Sequence, residues 1–391
     1  MKRVFLLLLA CCLLIAPAAA AGGSGTAADP YIIQTAAELQ SMQNNLGAYY
    51  RLANDIDLSG VTWVPIGSTT APFSGQLDGN GHTIKNLKIN SDILGVGLFS
   101  CCANAKIYNL NIDNCYVYNI NERTAILCGN LLSGEITNCN FNNCIVKSDI
   151  YTVGIICGII YSSSSLISIN SCTITNCLAY GTYAVGGVFG QDINPTSNTL
   201  VSISSCIVDK CTVLAQYQFS SGIGGRIHIP CSINDCTVSD SSILAYSGNS
   251  AGIISSITGS NSIITNSHVS NTNIYSPSDI YNIGPSSSYD STSTASGITN
   301  VPNRYLYASG LTAAPNGATV SYTLEGQQGS TTVEATQGTA QSWAWTFGDG
   351  ATSSVAEDTT HTYAAPGTYS TSLTLKNYLE TTGVTVTTSG Y

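Results

Sequence analysis

Ile136-Thr137-Asn138-Cys139-Asn140-Phe141-Asn142-Asn143-Cys144-Ile145-Val146 is the stretch that decides the fold. Alternate residues of a strand face the same side, so Cys139 and Phe141 share one face and Cys144 and Val146 share another. The parity breaks between Phe141 and Cys144. A corner there returns both pairs to the interior, and Asn143 stands at that corner. Asn is among the few residues that tolerate the left-handed backbone a tight bend requires. The same pattern begins at Ile84, Ile107, Ile136, Ile169, Ile203 and Ile264, with a further copy carrying His228 in the first place. The copies are spaced 23, 29, 33, 34, 25 and 36 residues apart. Asn86, Asn109, Asn138 and Asn266 precede the fourth position, and Asn114, Asn143, Asn176 and Asn271 precede the ninth.

Between copies lie small-residue segments such as Gly154-Ile155-Ile156-Cys157-Gly158 and Gly186-Gly187-Val188-Phe189-Gly190. They supply a third strand per repeat, with Gly for close backbone approach. Short strands at this period, rich in β-branched residues, predict a parallel β-helix of about seven or more coils and exclude helical repeats.

Composition narrows the function. Of 391 residues only 9% are charged, and the net charge is −10. That excludes the clustered Lys and Arg of a nucleic-acid binder and of a polybasic membrane-surface protein. Lys2 and Arg3, the apolar run Val4 to Ile15 and the small residues Ala18 to Ala21 read as a secretory signal peptide over 1–21, and no second run is long enough to span a membrane. The expected location is therefore secreted, at the cell surface, with nothing in the sequence to anchor it to a membrane.

The series Asp29-Pro30-Tyr31-Ile32-Ile33, Tyr50-Arg51-Leu52-Ala53-Asn54-Asp55-Ile56-Asp57-Leu58, Trp63-Val64-Pro65-Ile66-Gly67 and Phe73-Ser74-Gly75-Gln76-Leu77-Asp78-Gly79-Asn80-Gly81-His82-Thr83-Ile84 resembles the opening coils of right-handed β-helix surface proteins with GLUG-type repeats. Such proteins are found on bacteria and in the surface layers and sheaths of methanogenic archaea. The resemblance spans 29–275, and implies that the helix expected from Ala36 to Leu46 caps the N-terminal end. A Ser/Thr-rich linker is expected over 276–305. Beyond it, Trp345-Thr346-Phe347-Gly348-Asp349-Gly350, His361-Thr362-Tyr363, Pro366-Gly367-Thr368-Tyr369 and Leu373-Thr374-Leu375 closely resemble a PKD domain over 306–391, which implies an immunoglobulin-like β-sandwich without catalysis.

The fifteen cysteines set the chain apart. The repeat arranges Cys139, Cys172, Cys206 and Cys231 in one ladder and Cys115, Cys144, Cys177, Cys211 and Cys236 in another. Cys128 and Cys157 form a third stack, at the place held by Phe99 and Phe189. Leu87 and Leu110 alternate with thiols at these places, so the sites want buried apolar groups. Reduced packing and disulfides between neighbouring coils both remain open, since stacked Cα atoms lie within bridging distance. Cys-x4-Cys across a corner does not cluster thiols as a tetrahedral metal site needs. Cys101 and Cys102, expected in a loop, are candidates for an intermolecular thiol.

No carboxylate pair recurs at a fixed register, as glycoside hydrolysis on a β-helix face would require. No catalytic residue, cofactor or metal is expected. His228 is read as a hydrogen-bonded core or corner histidine, and Arg226 beside it is one of few cations. The expected role is a structural envelope subunit that self-associates, because a surface of Ser, Thr, Asn and Tyr carries little charge to desolvate. The alternative is an adhesin binding cell-surface glycans.

Overall fold

The computed structural model describes residues 22–161, 166–193, 200–245, 247–258, 262–276, 278–286 and 288–301, and shorter stretches between 306 and 389. The predicted signal peptide lies outside the described residues.

One coil shows the plan. Gly134–Thr137, Asn140–Asn142, Ile145–Ser148, Thr152–Gly154 and Cys157–Tyr161 follow one another, each pairing in parallel with its counterparts in the coils before and after. Named in that order, they belong to sheets A to E, of nine, nine, eight, five and six strands. The chain is an all-β solenoid, with up to five short segments per turn rather than three. The extra segments arise because the small-residue connection holds two strands: Val153 lies in sheet D and Cys157 in sheet E.

The corners follow from asparagine. Between sheets A and B sit Asn109, Asn138, Ser171, Ser205, Asp235 and Asn266. Between sheets B and C sit Asn86, Asn114, Asn143, Asn176, Lys210, Asp240 and Asn271. All have φ between 45° and 62°. The left-handed conformation costs an ordinary residue about 1–2 kcal/mol, and Asn and Asp least among non-glycine residues. Asn side chains then bond along the axis: Asn138 Nδ2 donates to Asn109 Oδ1 at 2.8 Å, and Asn114 Nδ2 to Asn86 Oδ1 at 2.7 Å.

Observed register corrects the repeat at two places. Ile107, Ile136, Ile169 and Ile203 do stack, but they continue to Ile233 and then Ile264, so His228 does not occupy this position. Leu77 precedes Ile107, whereas Ile84 pairs with Ile112 in sheet B. The stretch Gly79-Asn80-Gly81-His82 lengthens the first corner and displaces the copy. With this register the repeat lengths fall between 29 and 34 residues.

The linker expectation over 276–305 also changes. Ile280–Tyr281, Thr294–Ser296 and Thr299–Val301 pair with Ser250–Ala251, His268–Ser270 and Asn273–Tyr275, so the solenoid continues to 301. Ser and Thr suit this coil because corner hydroxyls replace thiols in it, as shown below.

At the N-terminal end, Thr35 and Glu38 close a capping box on the helix Ala36–Ser41, which a 3₁₀ turn, Met42–Asn44, extends. Leu39 and Met42 are fully buried in the solenoid core. At the C-terminal end, Ser342–Thr346, Thr352–Ser353, Ser370–Lys376 and Val384–Ser389 form an antiparallel sheet, and Gly310–Asn316, Thr319–Glu325 and Thr359–Thr362 another. Trp345, Phe347, Tyr363 and Leu373 are buried there. Tyr363 donates its hydroxyl to the Phe347 carbonyl at 2.8 Å.

Candidate functional site

Thirteen cysteines, from Cys101 to Cys236, are all buried, and every one is a free thiol. Cys139, Cys172 and Cys206 stand in file at the A–B corner, and the fourth thiol of that file is Cys236, not Cys231. Each is placed by the same contact, its Sγ bonding an Ile carbonyl of the preceding coil: Ile107, Ile136, Ile169 and Ile203 in turn. Cys231 instead pairs with Val201 in sheet A. The sequence hides this because Cys231-Ser232-Ile233 imitates the Cys-x-apolar strand one segment early.

The B–C file holds Cys115, Cys144, Cys177 and Cys211, and Ser241 and Thr272 extend it. The left-handed corner turns a main-chain N–H inward, away from the ladder. Cys144 N donates to Cys177 Sγ at 3.3 Å, Cys177 N to Cys211 Sγ at 3.4 Å, and Cys211 N to Ser241 Oγ at 3.0 Å. Each thiol donates in turn to the carbonyl two residues before it, 3.2 Å for Cys144 and Cys177 and 3.1 Å for Cys211. At Cys177, Cys211 and Ser241 the corner side chain of this file accepts one hydrogen bond and gives another while filling apolar space, and the thiol does both, whereas Leu87 at this corner and Leu110 at the A–B corner of the first coils only fill space. The expectation of purely apolar sites is thereby corrected. Ser267 and Ser293 play the same part at the A–B corner of later coils.

Cys128 and Cys157 pair with each other and are flanked by Phe99 and Phe189. Cys101 and Cys102 lie in the strand Phe99–Cys102, fully buried, so they are not an exposed intermolecular thiol. The cause is that Gly97-Leu98-Phe99 continues into sheet E rather than ending in a loop. Burial pushes the Cys101 thiol up to about 12, and pushes Cys102 and Cys157 well above the ordinary thiol value. Among the described residues no group of three or more His, Cys, Asp or Glu side chains could hold a metal ion.

His228 is half-buried against Asp192. Its Nδ1 lies 2.8 Å from Asp192 Oδ1, which also accepts the His228 main-chain N–H at 2.7 Å, and Oδ2 accepts that of Ile229 at 3.1 Å. Burial outweighs these bonds and raises the Asp192 carboxyl above its ordinary range. With every contact directed at the loop after sheet E, the pair fixes the backbone there.

A different arrangement lies on the outer side of sheet E. Cys101, Asn130, Ile159, Gln191, Arg226 and Ser256 form one register column. Thr152, Ala184 and Phe219 form a column in sheet D, which Arg123 extends by the bridge between Thr124 and Val153. The columns meet. Arg123 Nη1 donates to Asn130 Oδ1 at 3.1 Å, and Arg226 Nη1 to the Tyr183 hydroxyl at 2.6 Å, with the Arg226 guanidinium carbon 5.1 Å from the Phe219 ring centre. Glycines permit the approach: a Cβ on Gly190 would lie 2.6 Å from the Gly158 carbonyl oxygen and 3.0 Å from Thr152 Cβ. The Tyr151 and Tyr183 rings stack at 4.6 Å, and Phe219 meets Tyr183 edge-on at 5.7 Å. Of the residues singled out in the sequence, Cys101 and Arg226 stand in these columns. The rest of the arrangement depends on cross-coil register.

Comparison with known proteins adds the following. Residues 312–389 match the family model described as PKD domain. A protein of Evansella cellulosilytica, provisionally named a Gly-rich membrane protein, is 37% identical over 103 residues, which are 24% of this chain and 12% of that protein. Halomucin of Haloquadratum walsbyi is 41% identical over 113 residues, 25% of this chain and 1% of its own length. The chain thus spans only a small part of these curated relatives. The crystal structure of a Bacteroides ovatus protein provisionally named an immunoglobulin A1 protease aligns over 71% of this chain and 86% of that one, at 19% identity and a TM-score of 0.48. Among the described residues no helix is long and apolar enough to cross a membrane.

Proposed function

We propose that the chain is a non-catalytic structural component of a cell surface, a β-solenoid rod that associates laterally with copies of itself in an envelope layer or sheath. The PKD domain and the surface-associated names of the matched proteins support the location.

The observation that carries the assembly is a row of apolar side chains. Ile93, Leu94, Ile120, Ile150 and Tyr217 all stand at the corner leaving sheet C, in successive coils or nearly so, and are 43% to 53% exposed. The corner is not loose. Asn119 Nδ2 donates to the Ile93 carbonyl at 3.0 Å, and Ser148 Oγ to the Asn121 carbonyl at 2.7 Å. A held apolar stripe on a charge-poor rod marks an interaction surface, and its length along the axis suits another rod lying alongside.

Sedimentation velocity and negative-stain electron microscopy of the exported chain test this. Ordered, concentration-dependent assembly is expected, and I120N/I150N should dissociate it. A chain that stays monomeric at all concentrations and binds glycans as a monomer would favour the adhesin reading and end this one.

A further inference from the structure

Of the left-handed residues at the A–B and B–C corners, eight are Asn, and the other five are Ser171, Ser205, Lys210, Asp235 and Asp240. What separates the two groups stands two places on, where the next strand presents its first outward side chain. After the eight asparagines that residue is never Ser or Thr. After Ser171, Lys210, Asp235 and Asp240 it is Thr173, Thr212, Thr237 and Ser242. Ser205, followed by Ile207, is the single corner outside the rule. The rule extends to all 391 residues. With 32 asparagines and 92 serines and threonines, Asn-x-Ser/Thr occurs once, at Asn194-Pro195-Thr196, where the proline disables it as a glycan acceptor. Chance placement at this composition would give about seven. Local structure does not account for the pattern. Asn fits a left-handed corner better than Ser or Lys, yet Ser171 and Lys210 stand there with φ of 53° and 52°. Both are exposed, and Lys210 bonds only its neighbour Asp209 at the surface, a pair worth little. Asp235 and Asp240 keep the shape of asparagine without its amide nitrogen.

We propose that the chain is exported past an enzyme that glycosylates Asn-x-Ser/Thr, and that its corners exclude this signature to keep the coils free of N-linked glycan. In that transfer the Asn Nδ2 bonds to a sugar C1 while the C1–O bond to a polyprenyl phosphate or diphosphate carrier breaks. The amide gives up one proton, and the carrier departs as its phosphate. Nδ2 is the atom the corners themselves use. Asn114 and Asn138 donate from it to the asparagine of the preceding coil, and Asn176 donates from it to Asn142 Oδ1 at 3.2 Å. Corner residues of neighbouring coils lie about 4.8 Å apart, so a sugar on one covers the next. A glycan there takes a hydrogen from the axial donor and stands between coils. Excluding the signature therefore protects the corner files and leaves the outer faces bare.

This proposal does not rest on lateral assembly, since it concerns the coils of a single chain. Two experiments test it. The first uses full-length chain made in a bacterial cytoplasm, where no glycan is added. There S171N and K210N should unfold at the same urea midpoint as the parent or a higher one, and S205N likewise. A lower midpoint for S171N or K210N would show that folding itself rejects Asn at these corners, and would overturn the proposal. The second uses export from the cell that makes the chain, read by intact-protein mass. S171N and D235N should gain the mass of at least one oligosaccharide, while the parent, S205N and S171N/T173V gain none. Glycosylated S171N should then unfold at a lower urea midpoint than S171N/T173V. Should S171N be lost before export, blocking synthesis of the carrier-linked sugar should restore it. Export of S171N or D235N without added mass would overturn the proposal. So would glycosylated S171N as stable as S171N/T173V, or a loss of S171N that the block does not restore.

Discussion

Replacing Cys177 separates two accounts of the thiol files. Its Sγ accepts the Cys144 main-chain N–H at 3.3 Å, and donates to the Thr175 carbonyl at 3.2 Å. C177A leaves a buried N–H without a partner, costing about 1–3 kcal/mol. It also empties the space of one sulfur, roughly 1 kcal/mol more. The expected loss is about 2–4 kcal/mol. C177S keeps a donor and an acceptor, as Ser241 does naturally with the Cys211 N–H, and should cost only about 1 kcal/mol. Urea unfolding followed by far-ultraviolet circular dichroism gives both values from the midpoints. If the files were apolar packing alone, burying a hydroxyl would make C177S at least as damaging as C177A, and that ordering would refute the hydrogen-bonding role.

The other expectations concern reactivity, corners, backbone contact and acid. Because all thirteen cysteines from Cys101 to Cys236 are buried, and burial pushes the Cys101 thiol up to about 12, a thiol reagent at pH 8 should label none of them in the native chain and all of them in denaturant. N143A should lose about 1–2 kcal/mol at a corner with φ 53°, and N143G less than about 1 kcal/mol, by the same urea assay. G190A forces a Cβ to within 2.6 Å of the Gly158 carbonyl oxygen, and overpacking of this kind costs roughly 1–3 kcal/mol. In the PKD domain the His361 ring holds the Asp349 carboxyl below its ordinary range, Nε2 lying 2.7 Å from Oδ2. Its folded value thus lies under the unfolded one, so this stabilisation is present at neutral pH and lost as pH falls below about 4. Thermal melts should show D349N with a smaller acid-induced drop than the parent chain.

Much of this architecture is legible in the residues. The parity break between Phe141 and Cys144, and the asparagines beside it, announce a left-handed corner, and the corner announces a coil. Cys128 and Cys157 align with Phe99 and Phe189 because the small residues before them fix one register. What the residues conceal is pairing that period-two alternation leaves ambiguous. Cys231 and Ile233 satisfy the same strand pattern as Cys206 and Val208, and only the lattice of neighbouring strands assigns Ile233 to the Ile203 file. Ser293 reads as linker chemistry until the corner N–H of Ser267 that it accepts is seen. The meeting of the two columns is concealed most fully, since Arg123, Thr152, Gln191 and Arg226 come from different coils.

An experimental density map of the coils tests the central claim most directly, because it traces which thiols stand in file. The account predicts Cys206 lying between Cys172 and Cys236 at the A–B corner, with Cys231 beside Val201 in the adjoining strand. Density placing Cys231 next to Cys206, or scattering these sulfurs across separate faces, would contradict it.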